Sequence, residues 1–379
     1  MTPLYSEDRK GAPLVVVGSV NADLVVEVDR LPRPGETLAA DTLKVYPGGK
    51  GANQAAAAAK LGYPTTFVGQ VGRDAYAAML RSALADCGVD TSLVSTVDGS
   101  CGTAVILLQP SGENSIIIVG GANTSEEWQI TDEVTQAIQN AGAILLQREI
   151  PEVVNVIFAK IAQSARVPVV LDAGGVDKPL GIDLLSNVTI LSPNETELAR
   201  LTGLPTKSEK QVRAAAESLV HQGVNTVLVK MGSKGSMLVD IMGNYVRQEA
   251  LPVLHVVDTT GAGDCYTGAL AVALLEGRSY QDAMRFAGAA AAVCISRQGA
   301  LPSLPTRQEA LRELGEAAGH AGHTGSSGSM PAAGDALDDS KQQQQHYHQQ
   351  QQQPGSSSFG GFSDGFVEDS QPKKSGFWD

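Results

Sequence analysis

Ala143-Ile-Leu-Leu-Gln-Arg-Glu-Ile-Pro-Glu-Val-Val-Asn-Val-Ile-Phe-Ala-Lys-Ile-Ala-Gln-Ser-Ala-Arg-Val-Pro-Val-Val-Leu-Asp172 carries, in one span, the pattern that points to an α/β architecture. An apolar run at Ile144–Gln147 gives way to a helical pattern, Val153–Ala165, and then to a second apolar run, Val167–Asp172. The same rhythm continues. Further strands are expected at Val188–Ser192, Thr226–Lys230 and Val253–Val257, with helices at Glu195–Thr202 and Glu209–Gln222 between them. This alternation is the mark of a parallel sheet covered by helices on both faces. Polar groups that follow the strand ends then gather along the carboxyl edge of the sheet, where ligands bind.

The upstream part reads differently. Leu14–Val17 is a buried strand running into the polar turn Gly18-Ser-Val-Asn-Ala-Asp23. Short alternating pieces follow, Leu24–Val28 and Thr42–Tyr46, separated by Leu31-Pro-Arg-Pro-Gly35 and suited to the edges of a small sheet. Thr103–Gln109 and Ser115–Val119 flank Pro110-Ser-Gly-Glu-Asn114 as a β-hairpin, and the four pieces suffice for a separate four-stranded sheet. Between them, Pro47-Gly-Gly-Lys-Gly-Ala-Asn-Gln54 opens an alanine-rich helix from near Asn53 to Leu61 that ends at Gly62. Thr65–Val71 is another strand, and Asp74 is placed to cap a helix with its apolar face at Tyr76, Met79, Leu80, Ala83 and Leu84. Near the end, helices are expected at Gly268–Leu275 (closed by Gly277), Ala283–Ile295 and Arg307–Leu314.

The 379 residues, 42% of them hydrophobic, are ample for a large core. The net charge of −13 argues against non-specific binding to nucleic acid or to an anionic membrane. From Glu316 onward there are eight acids and three bases, so the preceding part holds 41 − 8 = 33 acids and 28 − 3 = 25 bases. Four cysteines fall at no metal-like spacing, which fits free thiols in a reducing compartment. Residues 1–13 read as a flexible lead-in without the apolar core of a secretory signal, and no run is long enough for a membrane span. The expected compartment is the cytoplasm, or a plastid or nucleus if a leader precedes this chain. Residues 315–379, rich in Gln, Gly and Ser, read as a disordered tail, and His346 and His348 within it are not taken as a metal site.

Several loops carry chemistry-bearing residues. Asn21 and Asp23 suit an Asx-type turn or a pair of vicinal hydroxyls equally well. Gly48-Gly49-Lys50-Gly51 lacks the spacing of a phosphate-binding P-loop, but its glycines permit close approach to a polyol, with Lys50 and Asn53 as donors. Glu149 ends an apolar strand, where a carboxylate is often merely solvated. Asn194-Glu-Thr-Glu197 reads either as a helix cap or as a site organising Mg²⁺ and its waters. Lys230-Met-Gly-Ser-Lys-Gly235 is a flexible glycine loop after a strand. Thr260-Gly-Ala-Gly-Asp264 lacks the third glycine of a dinucleotide fingerprint. It sets a carboxylate among glycines at the mouth of a helix, where free amides and the helix dipole favour an anion. Asp264 is read as the group that takes a proton from a hydroxyl, while the amides of Gly261, Ala262, Gly263 and Asp264 hold a phosphoryl group.

Taken together, Gly18–Asp23, Pro47–Ala55, Asn194-x-x-Glu197 and Asp258-Thr-Thr-Gly-Ala-Gly-Asp264 resemble the pfkB carbohydrate kinase family, in the right order across most of residues 14–314. The resemblance implies a three-layer α/β/α sandwich with a mostly parallel central sheet and a small β-sheet lid, from about 24–47 and 103–120, that serves as the interface of a homodimer. It implies an ATP-dependent kinase acting on D-ribose at O5, with sugar contacts from Asn21, Asp23, Gly49, Lys50, Asn53, Glu149 and Asp264. Nucleotide contacts would fall on Asn194, Lys230, Gly232, Ser233, Gly235 and Gly263, and Glu197 would hold Mg²⁺ through water. An activating K⁺ would sit among Asp258, Thr260, Cys294, Arg297, Gly299 and Ser303, mostly on main-chain carbonyls. Lys230 and Cys294 stand where the family pattern is permissive, and neither is placed at the chemistry. Asp264 is expected to keep an ordinary pKa of about 4 and to accept the proton only as the new O–P bond forms. The rival readings are a pfkB kinase for deoxyribose, fructose or a nucleoside, and a catalytically silent sugar- or nucleotide-binding regulator.

Overall fold

The structure, a computed structural model, describes residue 9 and residues 11–110 and 113–323. The tail from 324 onward, its histidine pair and most of the lead-in lie outside the described residues. In chain order the strands are β1 (Leu14–Val17), β2 (Asn21–Glu27), β3 (Leu43–Gly48), β4 (Thr65–Val71), β5 (Val94–Thr96), β6 (Gly102–Leu108), β7 (Asn114–Val119), β8 (Ala143–Arg148), β9 (Val169–Gly175), β10 (Ile190–Ser192), β11 (Thr226–Lys230), β12 (Ser236–Asp240) and β13 (Tyr245–Gln248). The helices are α1 (Lys50–Lys60), α2 (Tyr76–Asp86), α3 (Asp132–Gln139), α4 (Glu152–Ser164), α5 (Ile182–Leu185), α6 (Glu195–Thr202), α7 (Glu209–His221), α8 (Ala262–Leu275), α9 (Tyr280–Ile295) and α10 (Arg307–His323).

The central sheet runs β13-β12-β11-β10-β9-β8-β1-β4-β5. Its pairs from β5 to β11 are parallel, and β12 and β13 extend the edge antiparallel. Because successive strand residues point to opposite faces, β1 divides its side chains between two cores. Leu14 and Val16 join Phe67, Leu145 and the helices α1, α8 and α9, whereas Val15 and Val17 join Ile144, Leu146 and the helices α4 and α7. This is the expected three-layer sandwich. The second sheet, β3-β2-β6-β7, is the expected lid.

Helix α8 sits at the centre of one face, with every residue from Asp264 to Leu275 buried. A helix apolar all round must be enclosed. Gly268 lets it lie close to α1, since a Cβ there would stand 2.8 Å from the Gln54 carbonyl oxygen. That close approach brings Asn53 and Gln54 of α1 onto the first turn of α8.

The structure departs from the sequence reading at several places. Val253–Val257 is not a strand; Leu254, Val256 and Val257 are 96%, 60% and 59% exposed, and the segment crosses the surface to the helix mouth. The strands that follow β11 are instead β12 and β13, a hairpin in which Ser236 pairs with Gln248. Asn21 and Asp23 belong to β2, opposite Gly48 and Tyr46 of β3, and not to an Asx turn. Helix α1 begins at Lys50, ahead of Asn53. Asp74 precedes the N-cap of α2 by one residue, yet it accepts the Tyr76 N–H at 3.0 Å and the Cys101 N–H at 2.8 Å. Helix α10 runs on to His323, so the tail boundary drawn at 315 falls inside it.

Candidate active site

The carboxyl edge of the central sheet and the first turns of α1 and α8 converge on one buried polar cluster. Asp264 is 5% exposed and is held from both sides. Its Oδ2 accepts the Asn53 Nδ2–H at 2.9 Å and its Oδ1 accepts the Gln54 Nε2–H at 3.2 Å. Gly261, the N-cap of α8, has φ +75°, which turns the chain into the helix. The amides of Gly263 and Asp264 belong to the first turn and have no intrahelical acceptor. Ala262 is the exception within the expected anion hole, because its N–H is donated to the Thr259 carbonyl at 3.2 Å.

Burial pushes the Asp264 carboxyl above the usual carboxylate range, although the nearby Lys50 ammonium opposes the shift. The ordinary pKa expected from sequence is therefore corrected. Desolvation penalises the charged form, and it could not be seen before the fold placed Asp264 inside. A carboxylate raised in this way is a stronger base for a hydroxyl proton.

Lys50 opens α1, an unfavourable end for a cation unless anions surround it. They do. Asp264, Asp172 and Glu149 act together to raise its pKa, Asp264 most strongly and against the effect of burial. Glu149 is not merely solvated: its Oε2 accepts the Ser19 hydroxyl at 2.6 Å and the Lys50 N–H at 3.0 Å. Asn21 is buried, and its Oδ1 accepts the Asn123 Nδ2–H at 2.7 Å. Burial, with Glu149 and Asp264 nearby, raises the Asp23 carboxyl to about 7. The side of Asn53 turned away from Asp264 carries a buried Oδ1 without a hydrogen-bond partner. Such an atom is free to accept from a water or from a ligand hydroxyl that displaces it. A cleft of about 1040 Å³ lies between lid residues including Asp23, Lys44 and Tyr46 and body residues including Thr260 and Gly299.

The expected nucleotide loop forms a 3-10 turn at Gly232–Lys234 after β11. Lys230, at the end of β11, turns inward: its Nζ lies 2.5 Å from Asp172 Oδ2 and 3.4 Å from Thr267 Oγ1. Asn194 and Glu197 form a reciprocal capping box, with Asn194 Oδ1 accepting the Glu197 N–H at 2.8 Å and Glu197 Oε2 accepting the Asn194 N–H at 2.7 Å. The cap leaves Glu197 Oε1 and Asn194 Nδ2 unused by the box, which suits contact through water rather than direct coordination. Among the described residues no group of three or more His, Cys, Asp or Glu is arranged to hold a metal ion.

The residues assigned to a monovalent cation largely come together. Asp258 Oδ1 accepts the Thr260 N–H at 2.9 Å and hydroxyl at 2.6 Å, and Asp258 Oδ2 accepts the Gly299 N–H at 2.8 Å. Cys294 Sγ lies 3.0 Å from Ser303 Oγ. The Arg297 side chain points elsewhere, to Glu309. The Asp258 carboxylate thereby ties the loop before α8 to the turn after α9.

Sequence reasoning missed Asp172, Thr267, Gln54, Ser19 and Asn123. Asp172 carried a signal, as a carboxylate closing an apolar strand at the carboxyl edge. The others become visible only through contacts between distant elements.

Residues 12–307 match the pfkB family of carbohydrate kinases. The chain belongs to that family. As a pfkB kinase it is 50% identical over 316 residues to the ribokinase of Arabidopsis thaliana, a match covering 82% of this chain and 83% of that one. It is 38% identical over 305 residues to the ribokinase of Haemophilus influenzae, covering 80% of this chain and 99% of that one. The structure of Arabidopsis thaliana ribokinase complexed with ribose and ATP superposes with a TM-score of 0.77 at 50% identity, covering 80% of this chain and 99% of that one. The pfkB assignment carries the sandwich and the lid with it.

Proposed function

We infer that this chain is a ribokinase, transferring the γ-phosphoryl group of ATP to O5 of D-ribose to give D-ribose 5-phosphate and ADP. The observation that carries the reading is the Asn53 side chain, which donates to Asp264 while keeping a buried, unpaired oxygen for a sugar hydroxyl. The ribose- and ATP-bound relative at 50% identity supports the same substrates.

In this reading O5 lies against Asp264, in line with the phosphoryl group. As the O5–P bond forms, the bond from phosphorus to the bridging oxygen of ADP breaks, its electrons leave with ADP, and the O5 proton passes to Asp264. Transfer of this kind is mostly positioning and charge stabilisation. The amides of Gly261, Gly263 and Asp264 and the dipole of α8 face the equatorial oxygens. Asn21, Asp23, Lys50, Asn53 and Glu149 orient the sugar, with Gly49 allowing its close approach. Asn194 and the loop Lys230–Gly235, including Gly232 and Ser233, border the nucleotide. Glu197 would hold Mg²⁺ through a water, and the ion would there offset charge on the nucleotide phosphates.

An ADP-release assay over D-ribose, 2-deoxy-D-ribose, D-fructose and adenosine tests the assignment. D-Ribose is expected to give the highest kcat/KM, and a clear preference for another acceptor contradicts it. For the cation site at Asp258, Thr260, Cys294, Arg297, Gly299 and Ser303, K⁺ is expected to raise turnover several-fold over matched Na⁺, because a larger ion suits carbonyls held by that loop. Equal rates in the two salts remove K⁺ from the account. A second copy of the chain is proposed to cover the lid residues Leu43 and Ile116–Val119, which are exposed and apolar. Sedimentation at the monomer mass counts against that.

A further inference from the structure

The pair formed by Asp172, in β9, and Lys230, at the end of β11, is buried and lies beside the anion-binding loop. Asp172 is 2% exposed and Lys230 13%. The carboxylate is surrounded by donors. Its Oδ2 accepts from Lys230 Nζ at 2.5 Å, from the Thr267 hydroxyl at 3.0 Å and from Gln54 Nε2 at 3.3 Å, while its Oδ1 accepts the Gly174 N–H at 2.9 Å. The Gln54 amide is shared, since the same Nε2 also reaches Asp264. Burial pushes the Asp172 carboxyl up, but Lys230, Lys50 and these hydrogen bonds outweigh it and hold the group below the usual carboxylate range.

The placement of the ammonium is the telling feature. A Cβ built on Gly263 would meet one atom within 4 Å, Lys230 Nζ at 3.7 Å. Outside its own helix, the space on the Cβ side of Gly263 is therefore edged by a cation. An ammonium has three N–H donors, and two are accounted for by Asp172 and Thr267. An ion pair buried solely for stability gains little over an apolar pair of the same volume, so its position beside Gly263 asks for another reason.

Building on the kinase reading above, we propose that Lys230 contacts the phosphoryl group during transfer as a catalytic cation, and that Asp172 is the positioning residue that holds it at Gly263. Lys230 then stands at the chemistry, contrary to the expectation from sequence. Lys50 serves the sugar side of the same phosphorus and Lys230 the side of the departing nucleotide.

Three variants test this with kcat, KM for sugar and Tm measured together: Lys230→Met, Asp172→Asn and the double variant. Lys230→Met is expected to lower kcat about 10²-fold, as loss of one preorganised donor does, with the KM for ribose within about twofold. Asp172→Asn is expected to lower kcat about tenfold. In the double variant both buried charges are gone, so Tm returns towards that of the parent while kcat stays about 10²-fold down. A double variant that regains parental kcat along with Tm shows a scaffold pair and overturns the proposal, as does Lys230→Met with kcat within threefold of the parent. Should Lys230→Met fail to fold, the double variant decides. The parent is assayed first: activity on a sugar other than ribose corrects the substrate yet leaves this test intact with that sugar, and activity on none contradicts the kinase reading and this proposal with it.

Discussion

Asp264→Asn is expected to lower kcat by about 10²–10⁴-fold, the range for loss of a general base, while ribose still binds within about tenfold of the parental Kd. The substitution keeps the shape of the side chain and removes the proton acceptor. The amides of Asn53 and Gln54 would then compete for one carbonyl oxygen instead of two carboxylate oxygens. That costs about 1 kcal/mol of local hydrogen bonding, offset by relief from burying a charge. Rapid-quench kinetics on the chemical step and calorimetry on ribose binding separate the two effects. A variant that turns over at near the parental rate removes Asp264 from the base role, whatever its affinity for ribose.

Asp23→Asn is expected to weaken ribose binding about 10–100-fold, as loss of a charged hydrogen-bonding partner does, and yet to stabilise the ligand-free protein above pH 7. Burial first, then Glu149 and Asp264, push the folded Asp23 carboxyl up to about 7 from an ordinary 3.8. Below pH 4 both folded and unfolded chains carry the proton, and the group costs nothing. As pH rises from 4 to 7 the unfolded chain releases its proton while the folded chain holds it, so stability falls with pH across that window. A shift of this size corresponds to at most about 4 kcal/mol. The variant should therefore match the parent at pH 4 and exceed it at pH 8 in urea unfolding. A stability difference independent of pH would contradict the assignment. The site sacrifices stability for function here, since the same burial that strains the carboxyl prepares it for a hydroxyl.

The parallel sheet was legible because buried strands leave continuous apolar runs, and Ile144–Gln147 and Val167–Asp172 kept that signal apart from the helix between them. The mouth of α8 was legible for a different reason: a carboxylate set among glycines is locally improbable. Val253–Val257 misled because its apolar residues look like a strand whether they face a core or open space, and here Leu254 and Val256 face outward. The hairpin β12–β13 is composed of short runs with weak alternation, and pairing with β11 rather than local pattern defines it. Within the site, the residues on each loop could be read, but their mutual contacts could not. Asp172 and Lys230 are 58 positions apart, and Gln54 and Asp264 are 210 apart. The raised pKa of Asp264 belongs to the same class, since it follows from burial among those partners and not from its neighbours in sequence.

The central claim, that the phosphoryl group goes to O5 of a pentose lying against Asp264, is tested most directly by ADP release with D-ribose beside 5-deoxy-D-ribose at saturating ATP. Sustained ADP release is expected with D-ribose, and only the rate of the sugar-free control with 5-deoxy-D-ribose, which retains the hydroxyls that Asn21, Asp23 and Asn53 would hold but lacks the acceptor. Equal ADP release with the two sugars, with phosphate found on a ring hydroxyl, would contradict it.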